Sequence, residues 1–144
     1  MRFLVSLFLA GLCGSAMAAP SCNQVVQDLN QRISPKVDAT QLAQTLGALA
    51  QTGRLPDSYV TKRAAENAGW RPGSNLWQTQ PGKSIGGDRF GNYEHRLPNG
   101  QYKEADLDYR GGKRGAKRLI FGNDGRRYVT VDHYQTFTEV PACQ

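Results

Sequence analysis

Histidine and cysteine are scarce in this chain of 144 residues, which has two of the first and three of the second. No Cys or His stands at metal-ligand spacing from Cys22 or Cys143, so no metal site and no cofactor are expected. Long apolar runs are scarce as well: the stretch from Phe3 to Leu12 is too short for a membrane span, and no later stretch approaches ~18 consecutive apolar residues. Also missing are a G-x-S-x-G nucleophile elbow and a G-x-x-x-x-G-K-[ST] phosphate loop, which removes the support for a Ser-His-Asp hydrolase or a nucleotide-cradling loop. There is no internal repeat and no low-complexity tract.

What is present begins with Arg2, the apolar run and the small residues Ala16-Met17-Ala18, which together read as a secretory signal cleaved after residue 18. A soluble exported protein, extracellular or periplasmic and with no membrane segment, is the expectation. Taking 18 residues from 144 leaves 126, enough for one domain with one core. It also removes Cys13, so Cys22 and Cys143 remain at opposite ends of the chain and read as one disulfide in an oxidising compartment. The chain has 18 Lys and Arg against 12 Asp and Glu; without Arg2 there are 17 against 12, a net charge of +5. That balance favours anionic partners such as nucleic acid, polysaccharide or a membrane surface.

Val25, Val26, Leu29 and Ile33, then Leu42, Leu46 and Leu49, recur at three- and four-residue spacing on either side of Ser34-Pro35, predicting two amphipathic helices. Asp38 or Thr40 can cap the second and Gly53 can end it. A third, shorter helix is expected after Thr61, ending near Gly69. From Ser84 onward the runs "KSIGGDRF", "YKEADLDY", "KRLIFG", "RRYVTVD" and "YQTFTEV" alternate between turn clusters and predict antiparallel strands. Helices first and strands afterwards make an α+β domain, with the helices on one face of an antiparallel sheet. Alternation places Ala105, Leu107 and Leu119 toward the helices, and Tyr102, Glu104, Asp106 and Arg118 on the open face.

That open face offers a carboxylate (Glu104), an imidazole (His133, in the strand-like run "TVDHYQTF"), two arginines (Arg114, Arg118) and Lys62 at a helix start. A base, an acid and phosphate-complementary cations suit cleavage of a phosphodiester whose own 2′-OH is the nucleophile, a reaction that requires no metal. Arginine fits the charge-stabilising task because its planar fork donates two hydrogen bonds to a phosphate. On spacing alone Glu104 and His133 could equally be two unrelated surface residues, and "RGGKRGAKR" a solubilising or nonspecific RNA-binding loop.

Four motifs, "LPDSYVTKRAAENAGW", "PGKSIGGDRFGNYE", "YKEADLDY" and "TVDHYQTFT", occur in this order at compatible spacings and resemble the barnase-like, guanyl-preferring microbial ribonuclease family from about Asp38 to Val140. The resemblance implies the microbial ribonuclease fold, and with the signal (1–18) read from the N-terminal pattern it divides the chain into that signal, an N-terminal extension (19–37) and a ribonuclease domain (38–144). It puts the family's general base on Glu104, its general acid on His133, its phosphate-binding arginines on Arg114 and Arg118, and its lysine on Lys62. Tyr134 matches the tyrosine that lines the family's site. Guanine recognition falls on the loop that starts at Phe90, with backbone groups of Asn92 and the carboxylate of Glu94 facing the base. The implied partner is single-stranded RNA, cut after guanosine through a 2′,3′-cyclic phosphate by a monomeric enzyme, and the family also has an acidic barstar-like protein inhibitor.

The chain departs from the family at Tyr93, where an arginine flanks the base, and at Lys113, which replaces an aromatic residue. The segment from Cys22 to about Lys36, and Cys143, have no counterpart there. Asp106 is expected to orient Arg114 or Arg118 by an ion pair, and Asp88 to hold Lys62. His95 reads as an exposed loop residue, Gly86 and Gly87 as a strand bulge, and Trp70, Trp77 and Phe137 as packing aromatics. Two other functions remain open at this point: a noncatalytic basic RNA-binding domain, and a ribonuclease toxin delivered into competitor cells.

Overall fold

The computed structural model describes residues 18–144 together with Ser6, so the segment read as an export signal lies almost wholly outside the described residues. Three helices form where the sequence offers caps. In α1 (Cys22–Arg32) Ser21 Oγ accepts from the Gln24 amide at 3.1 Å, satisfying one of the first-turn donors that have no intrahelical partner. In α2 (Ala39–Thr52) Asp38 takes that role, accepting from the Gln41 amide at 2.9 Å. The same carboxylate meets Arg110 at 2.8 Å, and the Gln41 bond first, then Arg110, hold it below the usual carboxylate range. Gly53 ends α2 in the left-handed region (φ 71°), its amide donating to Leu49 O, a conformation that a side chain would penalise. Thr61 caps α3 (Lys62–Asn67) through the Ala64 amide.

Among the described residues six strands, β1 (Tyr59–Val60), β2 (Ser84–Phe90), β3 (Tyr102–Asp106), β4 (Arg118–Gly122), β5 (Arg127–Thr130) and β6 (Thr138–Glu139), lie side by side in chain order. β2 to β6 are antiparallel, as the alternation predicts. β1 corrects the all-antiparallel expectation: two residues pair parallel to the start of β2, too short a run to carry an alternation signal. Beyond Ile85, therefore, β2 has no strand partner on its outer side among the described residues. The register of β2 and β3 slips between Gly86 and Asp88, the bulge that Gly86-Gly87 suggests, with Gly87 at φ 100°. A Cβ at Gly86 would run into the Tyr59 ring, whose hydroxyl donates to Asp106 O at 2.8 Å.

α1 and α2 cover one face of the sheet. Val25, Val26, Leu29, Leu42, Leu46 and Leu49 pack on Ala105, Leu107, Leu119, Phe121 and Val129, so the N-terminal extension shares the core of the domain that follows it. Fully buried side chains such as Leu29, Leu42 and Leu119 contribute roughly 1.5–3 kcal/mol each relative to exposure. The disulfide Cys22–Cys143 spans 121 residues with its Cα atoms 4.9 Å apart, and Gln144 exchanges backbone hydrogen bonds with Pro20 and Cys22 beside it. A second cluster joins Trp70, Leu76, Ile85 and Tyr109, with Trp77 against it. On the opposite face of the sheet Leu97, Tyr102, Ile120 and Tyr128 form a third cluster, flanked by Phe90, Tyr134 and Phe137. Tyr102 thus points to the open face as expected but is buried there, leaving Glu104 as the accessible group of β3 on that face.

Candidate active site

Glu104 sits in the middle of β3, opposite Asp88 on one side and Ile120 on the other, so its backbone is fixed by hydrogen-bonded neighbours. Its carboxylate lines an open cavity of about 620 Å³ together with Lys62, Phe90, Asn92, Tyr93, Glu94, His133 and Tyr134. Eight of the residues singled out in the sequence, drawn from α3, β2, β3 and two loops, therefore converge on one cavity. Tyr134 donates its hydroxyl to Glu104 Oε1 at 2.9 Å, which orients the carboxylate and occupies one of its two oxygens. Burial, then the Glu104 charge, push the Tyr134 phenol up to about 12, so it stays a donor throughout the neutral range.

His133 is not on a strand, which corrects the reading of "TVDHYQTF". It occupies a turn between β5 and β6, with His133 at φ 53° and Tyr134 at φ 72°. Two consecutive side-chain-bearing residues in the left-handed region cost roughly 1–3 kcal/mol each, and the conformation persists because its surroundings over-determine it. Asp132 accepts from the Thr136 amide (2.9 Å), the Thr136 hydroxyl (2.6 Å) and the Thr130 hydroxyl (2.9 Å). Thr130 Oγ in turn accepts from the Tyr134 amide, and the His133 amide donates to Ala116 O in the loop before β4. The two Thr136 bonds hold the Asp132 carboxyl down at about 2. The exposed His133 ring lies 4.7 Å from the Tyr134 ring, which stacks on Phe90 at 5.6 Å with 23° between planes.

Arg114 and Arg118 stand behind this cavity and are not among its lining groups. Both converge on Asp106, which is 2% exposed and lies directly opposite Arg118 in the β3–β4 register. Arg114 donates to it through Nε and Nη2, each at 2.7 Å, and that two-point contact raises the guanidinium above its ordinary value. Arg118 Nε approaches Asp106 Oδ1 to 3.0 Å as a charge contact outside hydrogen-bond alignment, while Nη1 donates to the carbonyls of Gly115 and Lys117. Its guanidinium carbon lies 6.0 Å from the centre of the Tyr134 ring. One carboxylate thus holds two guanidinium groups, leaving a surplus positive charge beside Glu104 and Tyr134. Asp88 also holds Lys62, but through its backbone: Asp88 Oδ2 accepts the Lys62 amide at 3.0 Å, adding to the Thr61 cap and leaving the ammonium free to face the cavity.

The loop from Phe90 to Glu94 is built around Asn92. Its side chain is used internally, donating to Leu97 O (2.9 Å) and accepting from the Leu97 amide (3.1 Å), with its backbone at φ 49°. Tyr93 is, among the described residues, the large apolar side chain most open to solvent, 84% exposed, with its ring folded over Gly91. His95 is exposed on the same loop and outside the cavity. Sequence reading missed Arg89, Arg96 and Gln135, which also line the cavity, and took Phe137 for packing alone. Arg96 lies over the Phe137 ring at 5.6 Å and donates to Gln135 O at 2.6 Å, closing the rim between the two loops. Neither loop has a periodicity that would have revealed this pairing.

The helices packed on one face of a mostly antiparallel sheet, with a carboxylate and an imidazole converging on the other, define an α+β fold of the microbial ribonuclease type. A family model described as ribonuclease matches residues 42–141. The chain is 48% identical over 91 residues to ribonucleases of Bacillus intermedius and Bacillus pumilus, covering 60% of this chain and 56% of each relative. It is 47% identical over 91 residues to a ribonuclease of Heyndrickxia coagulans, covering 60% of this chain and 84% of that one. The match thus spans little more than half the length of the two Bacillus relatives. The chain belongs to the barnase-like microbial ribonuclease family.

Proposed function

We propose that this protein is an exported endoribonuclease that cuts single-stranded RNA after guanosine. The observation that carries the reading is the convergence of Glu104, His133, Tyr134 and Lys62 on one cavity backed by two arginines that Asp106 orients. The Glu104 carboxylate takes the proton of the substrate's 2′-OH. The freed oxygen attacks the neighbouring phosphorus, and the leaving 5′-oxygen receives its proton from the His133 imidazolium. The products are a 2′,3′-cyclic phosphate and a 5′-hydroxyl. In the second step the roles exchange: neutral His133 takes a proton from water, the water oxygen opens the ring, and Glu104 returns its proton to the 2′-oxygen.

Charge that builds on the phosphorane oxygens is met by Lys62, Arg114 and Arg118, whose positions are set before substrate arrives. Guanine is accommodated by the loop of Phe90 to Glu94: backbone groups at Asn92 face the base, Glu94 accepts from its N1–H and amino group, and Tyr93 offers an aromatic face where the family has arginine. An acidic inhibitor protein would cover the same basic cavity. The test is to incubate the protein, in EDTA, with the dinucleotide GpA and with its 2′-deoxy analogue. Guanosine 2′,3′-cyclic phosphate from the ribo substrate alone is the expected result, and an intact ribo substrate would overturn the reading.

A further inference from the structure

A second open cleft, about 670 Å³ and so as large as the candidate active cavity, lies between the C-terminal end of α2 and strands β2 to β5. Its walls are Leu49, Ala50 and Gly53 at the end of α2, and side chains of β2 to β5. The register explains its charge. Arg89 lies opposite Lys103, Lys103 opposite Phe121, and Phe121 opposite Arg127, so a single cross-strand row carries three cations around one aromatic floor. Lys103 has the strand parity of Ala105, which places this row on the helix-facing side of the sheet, opposite Glu104. No carboxylate lines the cleft. Like charges directly opposite in a sheet are destabilising, and nothing on the cleft wall neutralises the pair formed by Arg89 and Lys103. Arg127 is half-buried and donates only to carbonyls, those of Gly122 and Arg126, while the nearby Asp124 is engaged by Arg126.

Arg89 connects this row to the chemistry. It lies on the part of β2 that has no outer strand partner among the described residues, and it borders both the cavity of Glu104 and His133 and the second cleft. We propose that the cleft of Arg89, Lys103 and Arg127 is a second binding site for the phosphodiester backbone of the RNA that occupies the active cavity, holding nucleotides that flank the cleaved bond. The inference rests on the ribonuclease reading. The strand passes over the β2 edge at Arg89, and its phosphates replace the missing acidic partners of Lys103 and Arg127. Long RNA is then bound more tightly than a dinucleotide for a reason that lies outside the catalytic groups.

The experiment reads binding and cleavage separately. Affinity for a labelled 2′-O-methyl RNA of about 20 nucleotides, which cannot be cut, is measured by fluorescence anisotropy across a salt series, and GpA cleavage is measured in parallel. The variants are Lys103→Glu, a change at an exposed side chain, and the double variant Lys103→Glu/Arg127→Gln, with thermal melting as a check on folding. The double variant should bind the oligonucleotide at least about tenfold more weakly, with a log–log salt slope shallower by about 1.4 for two lost contacts, and should cut GpA within about twofold of the parent. Lys103→Glu alone should lose about threefold or more in affinity without a change in melting. Oligonucleotide affinity and salt slope equal to the parent's would overturn the proposal, as would a parallel loss of GpA cleavage, which would assign the effect to the active cavity. A parent protein that cannot cut GpA would refute the ribonuclease reading instead, and oligonucleotide binding would still decide whether the cleft holds a nucleic-acid strand.

Discussion

On the proposed mechanism His133→Ala removes the acid of the cavity, and Glu104→Ala removes the base, a carboxylate held in the middle of β3. Each replacement should lower kcat by about 10²–10⁴ while KM moves little, because the proton transfers are needed chiefly in the transition state. A kcat within about twofold of the parent in either variant contradicts the assignment. Asp106 acts one layer back: Asp106→Ala strands the buried Arg118 and unclamps Arg114, and loss of one partner from a buried ion pair costs about 3–5 kcal/mol. Thermal melting should fall accordingly; an unchanged midpoint would mean that the two arginines do not depend on it. Asp132 carries the pH dependence of the His133 turn. A carboxyl held at about 2 in the fold, against an ordinary 3.8, adds stability that is fully present above the ordinary value and is lost as pH falls through about 2. The Thr136 amide resonance should therefore titrate with a midpoint near 2, and a midpoint near the ordinary carboxylate value would show that the Asp132 turn is not formed.

At the scale of elements, local chemistry made much of the fold legible. Asp38, Thr61 and Gly53 announce helix ends by the groups they can satisfy or the backbone they can adopt, and the structure uses all three. Asp38→Ala should cost about 1 kcal/mol of stability, read by chemical denaturation. The alternation of "YKEADLDY" sorted Glu104 from Ala105 correctly, because one pleated strand with one buried face leaves no other choice. The loop of His133 was illegible for the converse reason: alternating residues look like a strand, and only the side-chain bonds of Asp132 and Thr130, made across two to four residues, turn them into a tight turn. β1 escaped notice because two residues carry no period. The roles of Glu104, His133, Lys62 and the arginines came from the resemblance of four motifs; spacing alone left them undecided.

At the scale of the whole molecule, the ends of the described chain are joined, and the helix that the family resemblance does not cover is buried in the common core. A disulfide that closes a loop of this length contributes about 5 kcal/mol by the chain-entropy argument. Replacing Cys22 and Cys143 with serine should lower the melting midpoint by about 10 °C or more and leave the kcat of the folded protein unchanged, since neither residue lines the cavity. A midpoint that does not move would show that the bond is redundant with the packing of α1. On the proposed reading the basic balance of the chain bears on substrate capture: cations in both clefts should make binding of long RNA salt-dependent, while a dinucleotide should be nearly indifferent.

The central claim is that Glu104 and His133 act as a base and acid pair, and the pH profile of kcat/KM for GpA tests it most directly. Measured from about pH 4 to 9, the parent should give a bell-shaped profile, falling on the acid side as the base is protonated and on the alkaline side as the acid is lost. Glu104→Ala should abolish the acid limb and His133→Ala the alkaline limb, each in the residual activity that remains. A parent profile that is flat across that range, or limbs that survive both replacements, would contradict the account.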